Sequence, residues 1–79
     1  MELQQPDKKF LIQLAHTKMP FGKYKGRYLI DLPEYYVVWF HGQGFPKNKL
    51  GNMLEMVYTL KLNGLEDLVR TIHKNFKPN

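Results

Sequence analysis

Residues 19–40 of this chain read MPFGKYKGRYLIDLPEYYVVWF, and this segment organises the fold that the sequence predicts. Gly22 and Gly26 bracket a short basic loop, and glycine is the usual residue where the backbone needs a positive φ. Short apolar runs flank the two glycines, which predicts a β-hairpin with strands at 18–21 and 27–30. Because a two-stranded hairpin is only marginally stable alone, helices are expected to cover one of its faces.

The second half of the segment predicts a helix over residues 32–41. Asp31 and Glu34 have the D-x-x-E spacing of a capping box, and Pro33 would stand in the first turn, where proline is tolerated. Gly42 and Gly44 would end the helix. Its expected apolar stripe, which would place the tryptophan in the core, consists of Leu32, Tyr36, Trp39 and Phe40.

Apolar residues at helical spacing predict three further helices, over residues 6–16, 47–63 and 65–75. Lys61 falls beside the stripe of the third and is expected to point to solvent. The chain therefore predicts a single α+β domain over residues 1–79, a small β-hairpin packed against about four helices, with a frayed tail at 77–79.

Length and composition exclude several classes of protein. Seventy-nine residues make one domain at most, and its stability would be marginal, so a homodimer is a reasonable supplement. The absence of cysteine excludes disulfides and thiolate metal sites and permits a reducing cytoplasm, which is the expected location. No stretch has the pattern of a signal peptide or a membrane span, so no membrane partner is expected.

Catalytic and metal-binding patterns are also missing from the sequence. The chain has neither cysteine nor serine, which excludes the usual nucleophilic triads. Its histidines, His16, His41 and His73, lack the spacing of a metal motif. The loop from Gly22 to Gly26 lacks the endings of nucleotide-binding loops. The prediction is a non-enzymatic protein without cofactor or metal.

Positive charge is concentrated in the middle of the chain. The net charge is +5, and residues 18–49 hold six cations against two acids. Concentrated positive charge favours an anionic partner, although the same lysines could merely solvate a turn. Tyr24 is expected to be exposed and Tyr28 to be core. The predicted binding residues are Lys23, Tyr24, Lys25 and Arg27, with Lys18, Lys47 and Lys49 as flanks.

The run from 19 to 40 resembles the signature of a small bacterial and phage domain family of unknown function, labelled a "putative quorum-sensing-regulated virulence factor". A similar pattern, P-F-G-K-Y-K-G followed by L-P and Y-x-x-W, resembles the C-terminal accessory domain of exonuclease X-like proteins. Residues 20–26, Leu32 with Pro33, and Tyr36 with Trp39 carry the match.

The two resemblances imply different roles. The exonuclease context implies a position next to nucleic acid, without cleavage activity, because the catalytic carboxylates are not present. The leading hypothesis is therefore a non-catalytic module that contacts nucleic acid through the basic-aromatic loop. The alternative is a regulatory or protein-interaction protein of the virulence-labelled family, using the same loop or a helical face.

Overall fold

Four α-helices form the fold of residues 8–77, which are the residues that this computed structural model describes. They are α1 (Lys8–His16), α2 (Glu34–Gln43), α3 (Lys49–Leu62) and α4 (Glu66–Asn75). A short 3-10 turn at Leu29–Asp31 lies between α1 and α2. The predicted helix start at Pro6 and Asp7, and the end of the predicted frayed tail at residues 78–79, lie outside the described residues.

The predicted α+β class is wrong, because residues 8–77 contain no strand and form a small all-α domain. The segment expected to be a hairpin makes one isolated antiparallel bridge, between Lys18 and Tyr28. Between the two bridged residues, Gly22 and Gly26 turn the backbone with φ of 80° and 89°, so the bridge does not extend in that direction. After the bridge, the 3-10 turn begins, and the N–H of Asp31 donates to the carbonyl of Tyr28 at 2.9 Å. The chain therefore closes a loop without building a ladder.

The core is built from the inner faces of all four helices and the 3-10 turn. Helix α1 packs against α4, α2 packs against α3, and the turn contacts α1, α3 and α4. Burial of this apolar surface is the main driving force for folding. The largest fully buried side chains are Leu14, Met19, Leu29, Leu32, Leu54, Val37, Val57 and Val69.

The predicted capping box at the start of α2 is wrong. Pro33 occupies the N-cap position, and no side chain caps the helix there. Asp31 lies two residues earlier, in the 3-10 turn, so its carboxylate does not reach the first turn of α2. It instead accepts a hydrogen bond from Nη2 of Arg70 at 3.1 Å, which links the turn to α4.

Lys61 is buried, which contradicts its predicted exposure. Its side chain reaches the 3-10 turn packed beside α3, and its Nζ donates a hydrogen bond to the carbonyl oxygen of Ile30 at 2.8 Å. The carboxylate of Glu66 lies 3.7 Å away. Burial lowers the pKa of Lys61, and the charge of Glu66 partly opposes that shift.

Candidate functional site

The basic loop, defined as residues 22–27, presents three uncompensated cations. Lys23, Lys25 and Arg27 are all exposed. Among the described residues, none of the three forms an ion pair with a carboxylate. Their charge is therefore available to an external anion. The attraction between the anion and the loop would be strongest at low ionic strength, where salt screens it least.

Tyr24 ties the basic loop to α2 and is half-buried rather than exposed. Its ring packs edge-on against the ring of Tyr36, with 4.8 Å between the centroids, and its hydroxyl is hydrogen-bonded to that of Tyr35. The Nζ of Lys23 and the Cζ of Arg27 lie 5.6 and 5.2 Å from the Tyr24 ring centroid, which is cation–π range. The loop is therefore held by its central tyrosine.

The hydrogen bond between the hydroxyls of Tyr24 and Tyr35 is the main reason why the pKa of Tyr24 is raised above its ordinary value. Partial desolvation acts in the same direction, and the charge of Arg27 opposes it. Tyr24 is therefore neutral at physiological pH, and its ring remains a good cation–π partner.

Trp39 lies on the surface, which contradicts its predicted place in the core. Its side chain is 57% exposed, and that of Tyr35 is 66% exposed. The buried residue of α2 is Val37, and a residue two positions along a helix points about 200° away from it. Trp39 is therefore turned outward, together with Tyr35.

The aromatic rings of α2 continue directly from the basic loop through Tyr36, which is half-buried. The centroids of Tyr36 and Trp39 lie 5.9 Å apart, and Tyr36 also contacts Tyr24. We name Tyr24, Tyr35, Tyr36 and Trp39 the aromatic surface. Its rings and the cations of the basic loop form one continuous surface.

The predicted flanking lysines lie elsewhere in the fold. Lys18 and Lys49 line one cavity, between the end of α1 and the start of α3. Lys47 lines a second cavity, beside Phe45 and Glu55. The structure thus brings Lys23, Tyr24, Lys25 and Arg27 together on one loop and places the three flanks beside these two cavities.

The remaining predicted side chains also have definite places. Tyr28, expected to be core, is half-buried, and its ring lies 4.8 Å from that of His73. His73 also contacts His16, at 4.5 Å between centroids, whereas His41 stacks on Tyr58 at 3.8 Å. Within residues 8–77 there is no group of three or more histidines and acids that could hold a metal ion. Nor is any helix of the described residues long and apolar enough to cross a membrane.

A family model and two known proteins each match most of this chain. A family model described as "Putative quorum-sensing-regulated virulence factor" matches residues 7–72. The chain is 48% identical over 69 residues to "Uncharacterized protein YpeB" of Escherichia coli strain K12, which covers 86% of this chain and 96% of that protein. The protein of the same name from Escherichia coli O157:H7 gives the same values.

One of the two resemblances noted in the sequence stays a prediction. The comparisons do not show the similarity to the accessory domain of exonuclease X-like proteins. No solved structure gives a significant match.

Proposed function

This chain belongs to the family described as "Putative quorum-sensing-regulated virulence factor", and from that premise we propose that it is a non-catalytic interaction protein. Its binding site is the aromatic surface together with the basic loop. Its ligand is an acidic segment of a partner protein. The family description refers to regulation and virulence and names no reaction, which is compatible with a binding role.

One observation carries the proposal: Trp39 and Tyr35 are more than half exposed. A domain this small buries little apolar surface and is marginally stable, so leaving two large rings in water is costly unless a partner covers them. Tryptophan, tyrosine and arginine are the residues enriched in the energetic centres of protein interfaces. Covering a large exposed ring with a partner removes its apolar area from water, which contributes favourable free energy to binding. The aromatic surface would supply the apolar contact area of the complex.

The charges of the basic loop support an acidic partner. Lys23, Lys25 and Arg27 lack carboxylate neighbours among residues 8–77, so a partner's carboxylates would meet them without displacing an existing ion pair. Electrostatic complementarity of this kind accelerates association and selects partners more than it adds affinity. Binding should therefore weaken as the salt concentration rises.

Affinity capture from a lysate of Escherichia coli, which carries 48% identical relatives, tests the proposal. The immobilised wild-type chain is compared with Trp39→Ala and Lys25→Glu. Leu68→Ala and Lys74→Glu are the matched controls, since both side chains are exposed on α4. We expect one defined protein to be retained by the wild type and both controls and lost by both surface variants. The same proteins retained by all five chains would refute the proposal.

A second candidate ligand is single-stranded nucleic acid, favoured by the cations of the basic loop next to the exposed rings of Tyr35 and Trp39. Cations neutralise phosphates, and each base stacked on a ring is worth about 1–3 kcal/mol. Titration into labelled single- and double-stranded DNA and RNA at several salt concentrations tests this candidate. Affinity for single strands that falls steeply with salt and with Lys25→Glu would favour it over a protein partner. No binding at low salt would exclude it.

A further inference from the structure

A cavity of about 490 Å³ lies apart from the basic loop and the aromatic surface, with which it shares no residue. It is open to solvent and is lined by the end of α1, the segment after it and the first turns of α3. Its volume is within the range typical of small-molecule sites, about 300–1,000 Å³. The residues that determine its chemistry are His16, Lys18, Pro20, Lys49, Leu50 and Met53.

The polar edge of this cavity is cationic. Lys18 and Lys49 both line it, and none of the described residues that line it is acidic. Within residues 8–77, neither lysine forms an ion pair. The Nζ of Lys18 lies 5.2 Å from the centroid of the Tyr28 ring, which leaves its charge without a carboxylate partner among the described residues. Two lysines that line a cavity without a carboxylate create a positive potential that an anionic group would relieve.

The same cavity has an apolar wall formed mainly by α3. Leu50 is half-buried and Met53 is only 4% exposed, so their side chains are fixed by the core behind them. Pro20 adds a rigid apolar ring from the segment that precedes the basic loop. Apolar atoms of a ligand placed against this wall would leave water, which is favourable.

His16 makes one side of the cavity rigid. Its Nε2 donates a hydrogen bond to the carbonyl oxygen of Phe76 at 2.7 Å, and its ring packs edge-on against that of His73. The ring therefore cannot turn without losing contacts to the end of α4. Preformed walls reduce the ordering cost that a ligand would otherwise have to overcome.

We propose that this cavity binds a small amphiphilic carboxylate, a molecule with one carboxylate group and an apolar body of several carbon atoms. The carboxylate lies between Lys18 and Lys49, and the apolar body lies against Leu50, Met53 and Pro20. Both halves of the ligand are required, because the cationic edge selects the charge and the wall of α3 selects the apolar body. The site is independent of the proposed protein-binding surface.

Titrations of the full chain with octanoate, octanamide and inorganic phosphate test the proposal. The NMR signal of the Met53 methyl group reports binding in each titration. We expect octanoate to shift that signal saturably. Octanamide, which lacks the charge, and phosphate, which lacks the apolar body, should each bind at least about tenfold more weakly. Because the three probes are compared on the wild-type chain, the test does not depend on any variant folding.

Lys49→Gln should weaken octanoate binding about tenfold, and Lys74→Gln, at an exposed lysine of α4, should leave it unchanged. Equal affinity for octanoate and octanamide, equal affinity for octanoate and phosphate, or no saturable shift would overturn the proposal. So would unchanged octanoate binding by Lys49→Gln. None of these results would bear on capture of a protein by Trp39, so the two proposals fail separately.

Discussion

The Nζ atom of Lys61 lies 2.8 Å from the carbonyl oxygen of Ile30 and joins α3 to the 3-10 turn that comes after the basic loop. This carbonyl is close to the core, since Ile30 is 3% exposed. Glu66 approaches the same ammonium from the start of α4. One lysine thus connects α3, the 3-10 turn and the start of α4, and the pair between Asp31 and Arg70 adds a second polar link between the turn and α4.

Replacing Lys61 by methionine should lower the free energy of unfolding by about 1–3 kcal/mol, because the Ile30 carbonyl would lose its charged donor while the aliphatic packing remained. Urea unfolding measures the change. Lys74→Met is the control, since the side chain of Lys74 is exposed on the last turn of α4 and its loss should be near neutral. Equal stability of the wild type and Lys61→Met would show that the bond contributes nothing.

The same pair of proteins should differ in the pH dependence of stability. Burial lowers the pKa of Lys61 in the folded chain, so between that pKa and the ordinary value of 10.5 the unfolded chain binds more protons than the folded one. Stability then rises with pH, and the advantage of the wild type over Lys61→Met should grow as the pH approaches 10.5. Urea unfolding at a series of alkaline pH values measures this advantage. An advantage that stays constant or shrinks as the pH rises would contradict a lowered pKa of Lys61 in the folded chain.

Gly51 should tolerate no side chain. A Cβ atom at this position would lie 1.6 Å from the carbonyl oxygen of Pro46, so the segment before α3 would have to move. We expect Gly51→Ala to cost about 1–3 kcal/mol or more, the range of overpacked cores. Thermal unfolding provides the measurement.

Gly42 is the matched control for Gly51, since it also lies in a helix but a Cβ atom added there would have no other atom within 4 Å. Gly42→Ala should stabilise the protein by up to about 1 kcal/mol, because alanine is the better helix former. A Gly51→Ala protein as stable as Gly42→Ala would contradict the packing described between Pro46 and α3.

Removal of the Tyr35 hydroxyl should lower the pKa of Tyr24 toward its ordinary value of 10.0, because the hydrogen bond between them is the main cause of the upward shift. NMR of ¹³C-labelled tyrosine rings in a pH titration would follow Tyr24 individually in the wild type and in Tyr35→Phe. Tyr58→Phe is the control, since Tyr58 stacks on His41 and not on Tyr24. A Tyr24 pKa that does not respond to Tyr35→Phe would contradict the hydrogen bond between Tyr24 and Tyr35.

Trp39 is the only tryptophan of the chain, so its fluorescence reports on the aromatic surface alone. Its exposure predicts efficient quenching by small ions. Iodide should quench more strongly than caesium at low salt, because Lys23, Lys25 and Arg27 concentrate anions near the ring. Lys25→Glu should reduce the preference for iodide, and Lys74→Glu should change it less. Weak quenching by both ions would place the ring in the core.

The positions of the helices could be predicted because their apolar residues recur at helical spacing and because proline and glycine interrupt them. The expected helix at 47–63 appears as α3, Lys49–Leu62, and that at 65–75 appears as α4, Glu66–Asn75. The sequence of residues 18–30, in contrast, could not show whether they form a hairpin or a closed loop. Gly22 and Gly26 predict turns equally well in both, and whether a bridge extends depends on the conformation of the residues after Tyr28.

The faces of α2 and the burial of Lys61 depend on packing that is not local. Apolar and aromatic residues surround α2 on every side, so its sequence, EYYVVWFHGQ, could not indicate that Val37 faces inward and Trp39 outward. The sequence around Lys61 is that of a surface lysine. Its burial could not be predicted because its hydrogen-bond acceptor, Ile30, is 31 residues away in the sequence. The exposure of the loop cations, in contrast, could be predicted, because glycines and like charges leave few ways to bury them.

Photo-crosslinking at position 39 would show directly whether the aromatic surface contacts a partner protein in the cell. A benzophenone amino acid replaces Trp39 in one chain and Leu68 in a control chain, both expressed in Escherichia coli and irradiated in living cells. We predict one discrete protein adduct from position 39, weakened by Lys25→Glu and absent from position 68. No adduct from position 39, or the same adducts from both positions, would contradict such a contact.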